Sequence, residues 1–446
     1  MSEKKQNDVN MLEGPILPQV LLFTVPLMLS GVLQLMFNAA DIAVVGRFAG
    51  SQSLAAVSST SSLIGLITNL FIGLSVGSNV VVAQGLGAGR DTTVRKAVST
   101  AILIALVGGL ILAAVGGIAA GKMLTIMAVP DDVISLSTLY LRIYFLGMPA
   151  IMVYNYGASI LRAKGDTRHP LYYLTVAGVL NVVMNLFFVI VMKLDVAGVA
   201  LATILSQYVS AVLVILLLIR ERSAVHFDFK HPEFDKDAFK EIFRIGLPAG
   251  LQGTLFSISN VTIQASINSF GSTVMAGNGA ASNLEGFVYV SMNAFYQACL
   301  SFTGQNIGAG KKERIGKILK VCLLCVLIGG GFLGLTVHHF SGTLLKIYST
   351  DPEVIAAGRV RTFWNCQFYA LCGMMDVMGA CNRGLGYSIM PMIVSLLGVC
   401  ALRLLWVATV FAHFHTIEIL YISYPVSWTI TFIAHLICYL IVRKKI

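Results

Sequence analysis

The chain has 446 residues, 57% of them hydrophobic and only 12% charged, with 42 glycines. A soluble globular protein carries about 25% charged residues, so the composition excludes one and implies a polytopic membrane protein. The net charge of +10 would suit a nucleic-acid partner, but its distribution along the chain argues against one.

In chain order, a polar stretch from Met1 to Gly14 leads into an apolar segment too long for a signal peptide, expected to stay attached as the first span. Twelve spans are expected, at about 16–45, 53–84, 95–121, 133–159, 169–192, 196–220, 241–268, 277–303, 317–344, 355–379, 388–412 and 417–442. The charge-free runs 97–121, 196–219, 321–345 and 419–442 each exceed the roughly 20 residues needed to cross a bilayer. The one real linker is Arg220 to Glu241; every other loop is short, so no soluble domain is inserted.

The chain repeats itself once, at the constant offset that separates Gln84 from Gln305. Gln84, Gly87, Ala88 and Gly89 recur as Gln305, Gly308, Ala309 and Gly310; Lys96, Arg162, Gly165 and Pro170 recur as Lys317, Arg383, Gly386 and Pro391. Pro26 and Asn38 recur as Pro248 and Asn260, one position further on, which places a single gap before Gly50/Gly271. Six spans per half is an even number, so both halves enter the membrane in the same sense and the repeat axis runs along the membrane normal. The domains expected are an N-lobe at 1–220, a cytoplasmic linker at 221–240 able to absorb motion of the lobes, and a C-lobe at 241–446.

Lys and Arg divide unequally between alternate loops. One set, with both chain ends, holds 23 of the 31, whereas the opposite loops hold only Arg47, Lys122, Lys193 and Lys346. The positive-inside rule therefore places both termini in the cytoplasm and accounts for the basic balance without a polyanion. All eight cysteines lie in the second half, seven within expected spans and Cys381 just past the end of the tenth. Cys322 and Cys325 have a CxxC spacing, but no second pair or His cluster completes a metal site. The glycine-rich segments 85–89 and 308–310 follow no strand and lack the Gly-Lys-Ser/Thr ending of a nucleotide loop. Transport energy is then expected from an ion gradient or from the substrate's own gradient.

Polar residues inside the spans are the candidates for function. Ser30, Gln34, Asn38 and Asp41 fall on one helix face. Asp41 is the only charge between Glu13 and Arg47. A carboxylate there is costly unless protonated, paired or solvated by a cavity. Pro26, a few turns earlier, removes one ladder bond and gives this helix a place to bend. The second copy has Thr262 or Ile263 where Asp41 would be, so this carboxylate belongs to the first half alone. Asn181 and Asn185 on span five, with Thr203 on span six, supply amide and hydroxyl oxygens suited to a hard cation or to helix packing. In the second half, Glu285, Tyr289, Asn293 and Tyr296 share a face of span eight, and Asn365, Tyr369 and Asp376 a face of span ten. Asp376 aligns with Asn155. Carboxylates interleaved with aromatic rings suit a lipophilic cation; the alternative for Asp376 or Glu285 is a pair with Arg403 on span eleven.

With these residues the chain resembles the multidrug and toxic compound extrusion (MATE) transporters, from about Gly14 to Tyr439. The resemblance rests on Asn38/Asp41 with Val45-Gly46-Arg47, the Gln-x-x-Gly-Ala-Gly segments at Gln84 and Gln305, and the Arg-x-x-Gly-x4-Pro segments at Arg162 and Arg383. Asn181 and Thr203 match the first-lobe polar cluster of the DinF-like branch, though that branch's Asp four residues after the Asn is here Asn185. The NorM branch's Glu nine residues after the proline of span seven is here Ser257.

The resemblance implies an all-α integral membrane fold of twelve helices in two pseudo-symmetric six-helix lobes. It implies a multidrug antiporter of the inner membrane, multi-pass and monomeric, with drug-like molecules and the bilayer as partners, no nucleic acid and no cofactor beyond H+ or Na+. The coupling ion is expected at Asp41, Asn181, Asn185 and Thr203, with protons favoured over sodium. The substrate wall is expected at Gln34, Asn38, Asn155, Glu285, Tyr289, Asn293, Tyr369 and Asp376, and Pro26 is the conformational residue. The substrates expected are amphipathic cations, because the acidic residues oppose chiefly Arg403. The alternative is a lipid or polysaccharide flippase of the same superfamily, which would favour a basic cavity. A membrane enzyme finds no support, since no metal pattern and no nucleophile with a base falls in the spans.

Overall fold

The computed structural model describes residues 8–127 and 129–445, and no strand occurs among them. Twelve helical rods follow one another, six in each half of the sequence. The first six are α1 (Ile16–Ala49), α2 (Gly50–Gly87), α3 (Asp91–Ile126), α4 (Asp131–Leu146, then Met148–Lys164), α5 (Arg168–Val191) and α6 (Asp195–Arg220). The second six are α7 (Lys236–Asn268), α8 (Ser272–Gly308), α9 (Lys312–His339), α10 (Pro352–Cys366, then Tyr369–Gly384), α11 (Ile389–Phe414) and α12 (Ile417–Arg443). Eight of these are separately long and apolar enough to span a bilayer, and α4 makes a ninth when its two parts are joined. Polar residues thin the apolar character of α7, α8 and α10.

Two rods expected to be continuous are broken. α4 bends by 46° between Leu146 and Met148, where Pro149 cannot donate to the ladder. α10 is interrupted at Gln367–Phe368, and Phe368 is the repeat counterpart of Gly147. A single helical face carrying Asn365, Tyr369 and Asp376 therefore does not extend across the whole of α10.

The internal repeat holds at the level of backbone and packing. Gly50 and Gly271 have φ of 87° and 94°, and Gly165 and Gly386 have 110° and 95°, a region that residues with a Cβ rarely enter. The glycine-rich segments near Gln84 and Gln305 are helix ends: the Ala88 and Ala309 amides each donate to the glutamine carbonyl at 3.0 Å. On α6 the buried positions Val199, Ala200, Ser206, Ser210, Val214 and Leu218 recur on α12 as Leu420, Tyr421, Ser427, Thr431, His435 and Tyr439, all buried. The side chains have changed while the inward stripe has stayed in place.

Packing divides the chain into two compact units. Leu29–Gly246 forms the body of the first; residues from Leu247 onward form the second, together with Asn10–Met28. The chain thus passes between units inside α1 and α7, just after Pro26 and just before Pro248. The linker packs on the first unit. The Phe227 amide donates to the Leu218 carbonyl at 3.0 Å, and the Glu233 and Asp235 amides donate to the hydroxyls of Ser99 (2.8 Å) and Thr100 (2.9 Å). Lys96 pairs with Glu233 at 3.1 Å and Asp235 at 3.4 Å. In the second unit, Met11 is buried and its carbonyl accepts from Asn306 Nδ2 at 3.0 Å, which anchors the segment leading into α1.

Candidate functional site

In the first unit, α1, α5 and α6 bring Asp41, Asn181, Asn185 and Thr203 together. Asn185 donates its amide to the Asp41 carboxylate and also reaches Asn181 Oδ1 at 3.3 Å. Asn181 Nδ2 lies 3.4 Å from Thr203 Oγ1, and that hydroxyl donates to the Val199 carbonyl at 3.0 Å. Both asparagines are buried, while Asp41 is half-buried. No cation pairs with Asp41 among the described residues. Asn185 Oδ1 is buried with no donor, an acceptor that a proton donor or a hard cation can use.

The ladder of α1 widens into a π-helical turn at Val45–Ala49, and that of α5 at Phe187–Val191, each just beyond its polar residue. Such turns leave the backbone less regular than an α-helix and recur at functional positions. The apolar cluster in this part of the unit contains Val44, Val45, Tyr140, Val189, Val196 and Val199. Gln34 and Asn38 are exposed on α1. Asn155 is half-buried and bonds the carbonyl of Ile151 on its own helix at 2.8 Å.

The second unit has a different polar centre. Glu285 on α8 is buried and takes a two-pronged bond from Arg361 on α10, Nε to Oε1 at 2.8 Å and Nη2 to Oε2 at 2.7 Å. Asn365 Nδ2 adds a third donor at 3.1 Å. The remaining prong of Arg361 reaches Asn278 Oδ1, which also accepts from Tyr421 Oη at 3.1 Å. The rings of Tyr421 and Tyr424 each lie 5.9 Å from the guanidinium carbon, within cation–π range.

The partner of Glu285 is therefore Arg361 and not Arg403. Arg403 carries no carboxylate either: its Nε donates to Ser427 at 2.9 Å, its guanidinium stacks 4.1 Å over Tyr424 and 5.7 Å from Trp428, and its Nη2 is buried without an acceptor. Asp376 is half-buried with no hydrogen-bond or ion-pair partner among the described residues; Tyr289, Cys372 and Arg383 are its charged or ionisable neighbours. Arg383 is itself held by Tyr296 Oη at 2.8 Å and by Gln252. Tyr289 is exposed, Asn293 and Tyr369 are half-buried, and Tyr369 packs edge-on against Trp428 at 5.4 Å.

Sequence reasoning assigned no role to Arg361, Asn278, Tyr421, Tyr424 or Trp428. A signal was present in the repeat: Arg361 is the counterpart of Tyr140, and a guanidinium in place of a buried phenol demands a counter-charge. The cysteines are all free, and no group of three metal-ligating side chains occurs among the described residues.

Comparison with known proteins agrees with this architecture. The MatE family model matches residues 26–187 and 248–408, one match in each half. The chain belongs to the MatE family, whose members are membrane transporters and not enzymes. Among its relatives, the probable multidrug resistance protein YoeA of Bacillus subtilis is 28% identical over 436 residues, covering 95% of this chain and 93% of the relative. The probable multidrug resistance protein YpnP of the same organism is 27% identical, with 88% and 87% covered. A solved outward-facing multidrug resistance MATE family transporter of the MOP superfamily superposes with a TM-score of 0.92 at 21% identity, with 100% of each chain covered. That likeness establishes the two-lobe, twelve-helix fold.

Proposed function

We propose that this transporter is a cation-coupled multidrug antiporter whose coupling ion is taken up at Asp41, with protons favoured over sodium. The observation that carries the reading is the Asp41–Asn185–Asn181–Thr203 chain, in which one carboxylate without a counter-charge meets three neutral side chains. A lone carboxylate exchanges one proton without any other anion having to change state. Sodium is the finer alternative, with the amide and hydroxyl oxygens as added ligands. Antiport requires that the ion and the drug alter each other's affinity through one element with two arrangements. The passage of the chain between units beside Pro26 and Pro248 supports those prolines, instead of the linker, as the pivots of alternating access.

The substrates are amphipathic cations, exported across the inner membrane from a cytoplasm that holds both termini. The multidrug names of the relatives support the efflux reading, and the 23 basic residues of one loop set support the orientation. Half-buried Asp376 beside exposed Tyr289 supports a cation-accepting wall, whereas Glu285 is committed to Arg361. The flippase alternative gains nothing from these relatives.

Everted vesicles loaded with a fluorescent cation and given imposed proton or sodium gradients provide the test. Proton-driven efflux that Asp41→Asn abolishes, with drug binding retained, is the expected result. Gradient-driven efflux by that variant at the wild-type rate would sink the role of Asp41. Efflux that follows sodium at fixed pH would replace the ion and keep the site. Asp376→Asn is expected to weaken cationic dyes more than neutral ones; an equal loss of both would leave Asp376 a structural residue.

A further inference from the structure

At the end of the second unit that carries the α8–α9 loop and the C-terminus, a cavity of about 130 Å³ is lined by Lys312, Glu313, Ile315, Leu385, Tyr439 and Arg443. Drug-sized ligands occupy roughly 300–1,000 Å³, so this space suits a headgroup and not a transported drug. Tyr439 is 5% exposed, yet its hydroxyl has no hydrogen-bond partner among the described residues and lies 3.8 Å from where a Cβ on Gly316 would be. It is an unpartnered donor facing the space between α9 and α12. Arg443 comes within 4.0 Å of the same point and makes no ion pair among the described residues.

The first turn of α9, from Lys312, adds the positive end of its helix dipole at this end. Among the described lining residues, Glu313 contributes the one opposing charge. It is outnumbered by Lys311, Lys312, Arg314 and Lys317 on the same segment and by Arg443, Lys444 and Lys445 at the chain end. Exposed Leu440 and Ile441 flank the site on α12, placing an apolar surface beside it.

The first unit provides an internal control. At the equivalent positions of the repeat, Lys312 becomes Asp91, Tyr439 becomes Leu218 and Leu385 becomes Lys164. Leu218 is fully buried, and Lys164 is already occupied by Asp8 at 2.9 Å and Glu221 at 2.8 Å. The repeat thus keeps the helices and changes the chemistry in one lobe only.

We propose that this cavity binds the phosphate of an anionic phospholipid headgroup, held by Tyr439 and Arg443, with the acyl chains lying along Leu440 and Ile441. Basic pockets between membrane helices on the cytoplasmic side suit such headgroups, and the positive-inside reading puts this end there. Lipid binding at this end is independent of which drug or ion is transported.

The test uses the full chain in detergent, titrated with phosphatidylglycerol, phosphatidylcholine and inorganic phosphate while bound lipid is counted by native mass spectrometry. Phosphatidylglycerol is expected to be retained over phosphatidylcholine. Tyr439→Phe, which removes one oxygen, and Arg443→Gln are each expected to reduce that retention by roughly tenfold, with Leu218→Ala in the first lobe leaving it unchanged. Equal retention of the two lipids, or unaltered retention by both Tyr439→Phe and Arg443→Gln, would overturn the site. Displacement of the lipid by millimolar inorganic phosphate, followed by saturable phosphate binding, would overturn the lipid as its source.

Discussion

The two lobes share one backbone plan and place their buried charge at different points on it. The first lobe has Asp41, Asn181, Asn185 and Thr203; the second has Ile263, Leu402, Trp406 and Tyr424 at those positions. The second lobe in turn has Asn278, Glu285, Arg361 and Asn365 where the first has Val57, Ile64, Tyr140 and Tyr144. Ile263 is fully buried in an apolar cluster with Ile267, Phe411, Leu420 and Tyr421, the counterpart of the cluster beside Asp41. One lobe therefore leaves a carboxylate with neutral partners, able to change its charge. The other neutralises its buried Glu285 with a guanidinium and cannot change that charge cheaply. A site that must exchange an ion needs the first arrangement, and a strut that must keep its shape needs the second.

The largest expected effect tests that division directly. Asp41→Asn is expected to lower gradient-driven dye efflux by roughly tenfold or more with little change in thermal stability. Breaking the pair in the second lobe should do the reverse. Arg361→Met leaves Glu285 buried and unpaired, at a cost of about 3–5 kcal/mol, read as a fall in melting temperature and in protein level. Combining it with Glu285→Met removes both charges and is expected to recover most of that loss. If Arg361→Met left stability unchanged, the contrast between switch and strut would fail.

A smaller effect compares the close helix approaches. A Cβ on Gly109 would stand 2.4 Å from the backbone Cα of Pro149, whereas one on Gly330 would meet the Met292 sulfur at 2.9 Å. Backbone cannot yield as a methionine can, so Gly109→Ala is expected to cost about 1–3 kcal/mol and Gly330→Ala distinctly less. Equal losses in thermal unfolding would show that the second lobe is packed as rigidly as the first.

The smallest effect concerns the linker, which Lys96 of the first lobe holds, while its repeat Lys317 has no ion pair among the described residues. The Ala238 amide, with Lys96 assisting, holds the Asp235 carboxyl below the usual carboxylate range. A depressed value contributes stability above the unfolded pKa of about 3.9, lost as pH falls through the folded value. Amide protection factors at residues 233–238, with the intrinsic pH dependence of exchange divided out, are therefore expected to fall only below about pH 4; protection that stays flat down to pH 3 would mean the clamp is apolar.

The class of protein was legible in the residues alone. Apolar runs longer than a bilayer is thick, one internal repeat at a constant offset and an uneven loop charge follow from the solvent each segment must meet, and that is a local property. The residues of the first polar cluster were also legible, because Asn181 and Asn185 lie one turn apart and Asp41 is an isolated charge in an apolar helix. The pairings, by contrast, belong to the fold. Arg361 and Glu285 are 76 residues apart, and Arg383 and Arg403 are buried in the same half. Which arginine meets which carboxylate depends on how α8, α10, α11 and α12 rotate against one another, and on the breaks in α4 and α10 that reset their faces. Those rotations are set by side-chain packing between helices far apart in sequence, and no spacing within one helix encodes them.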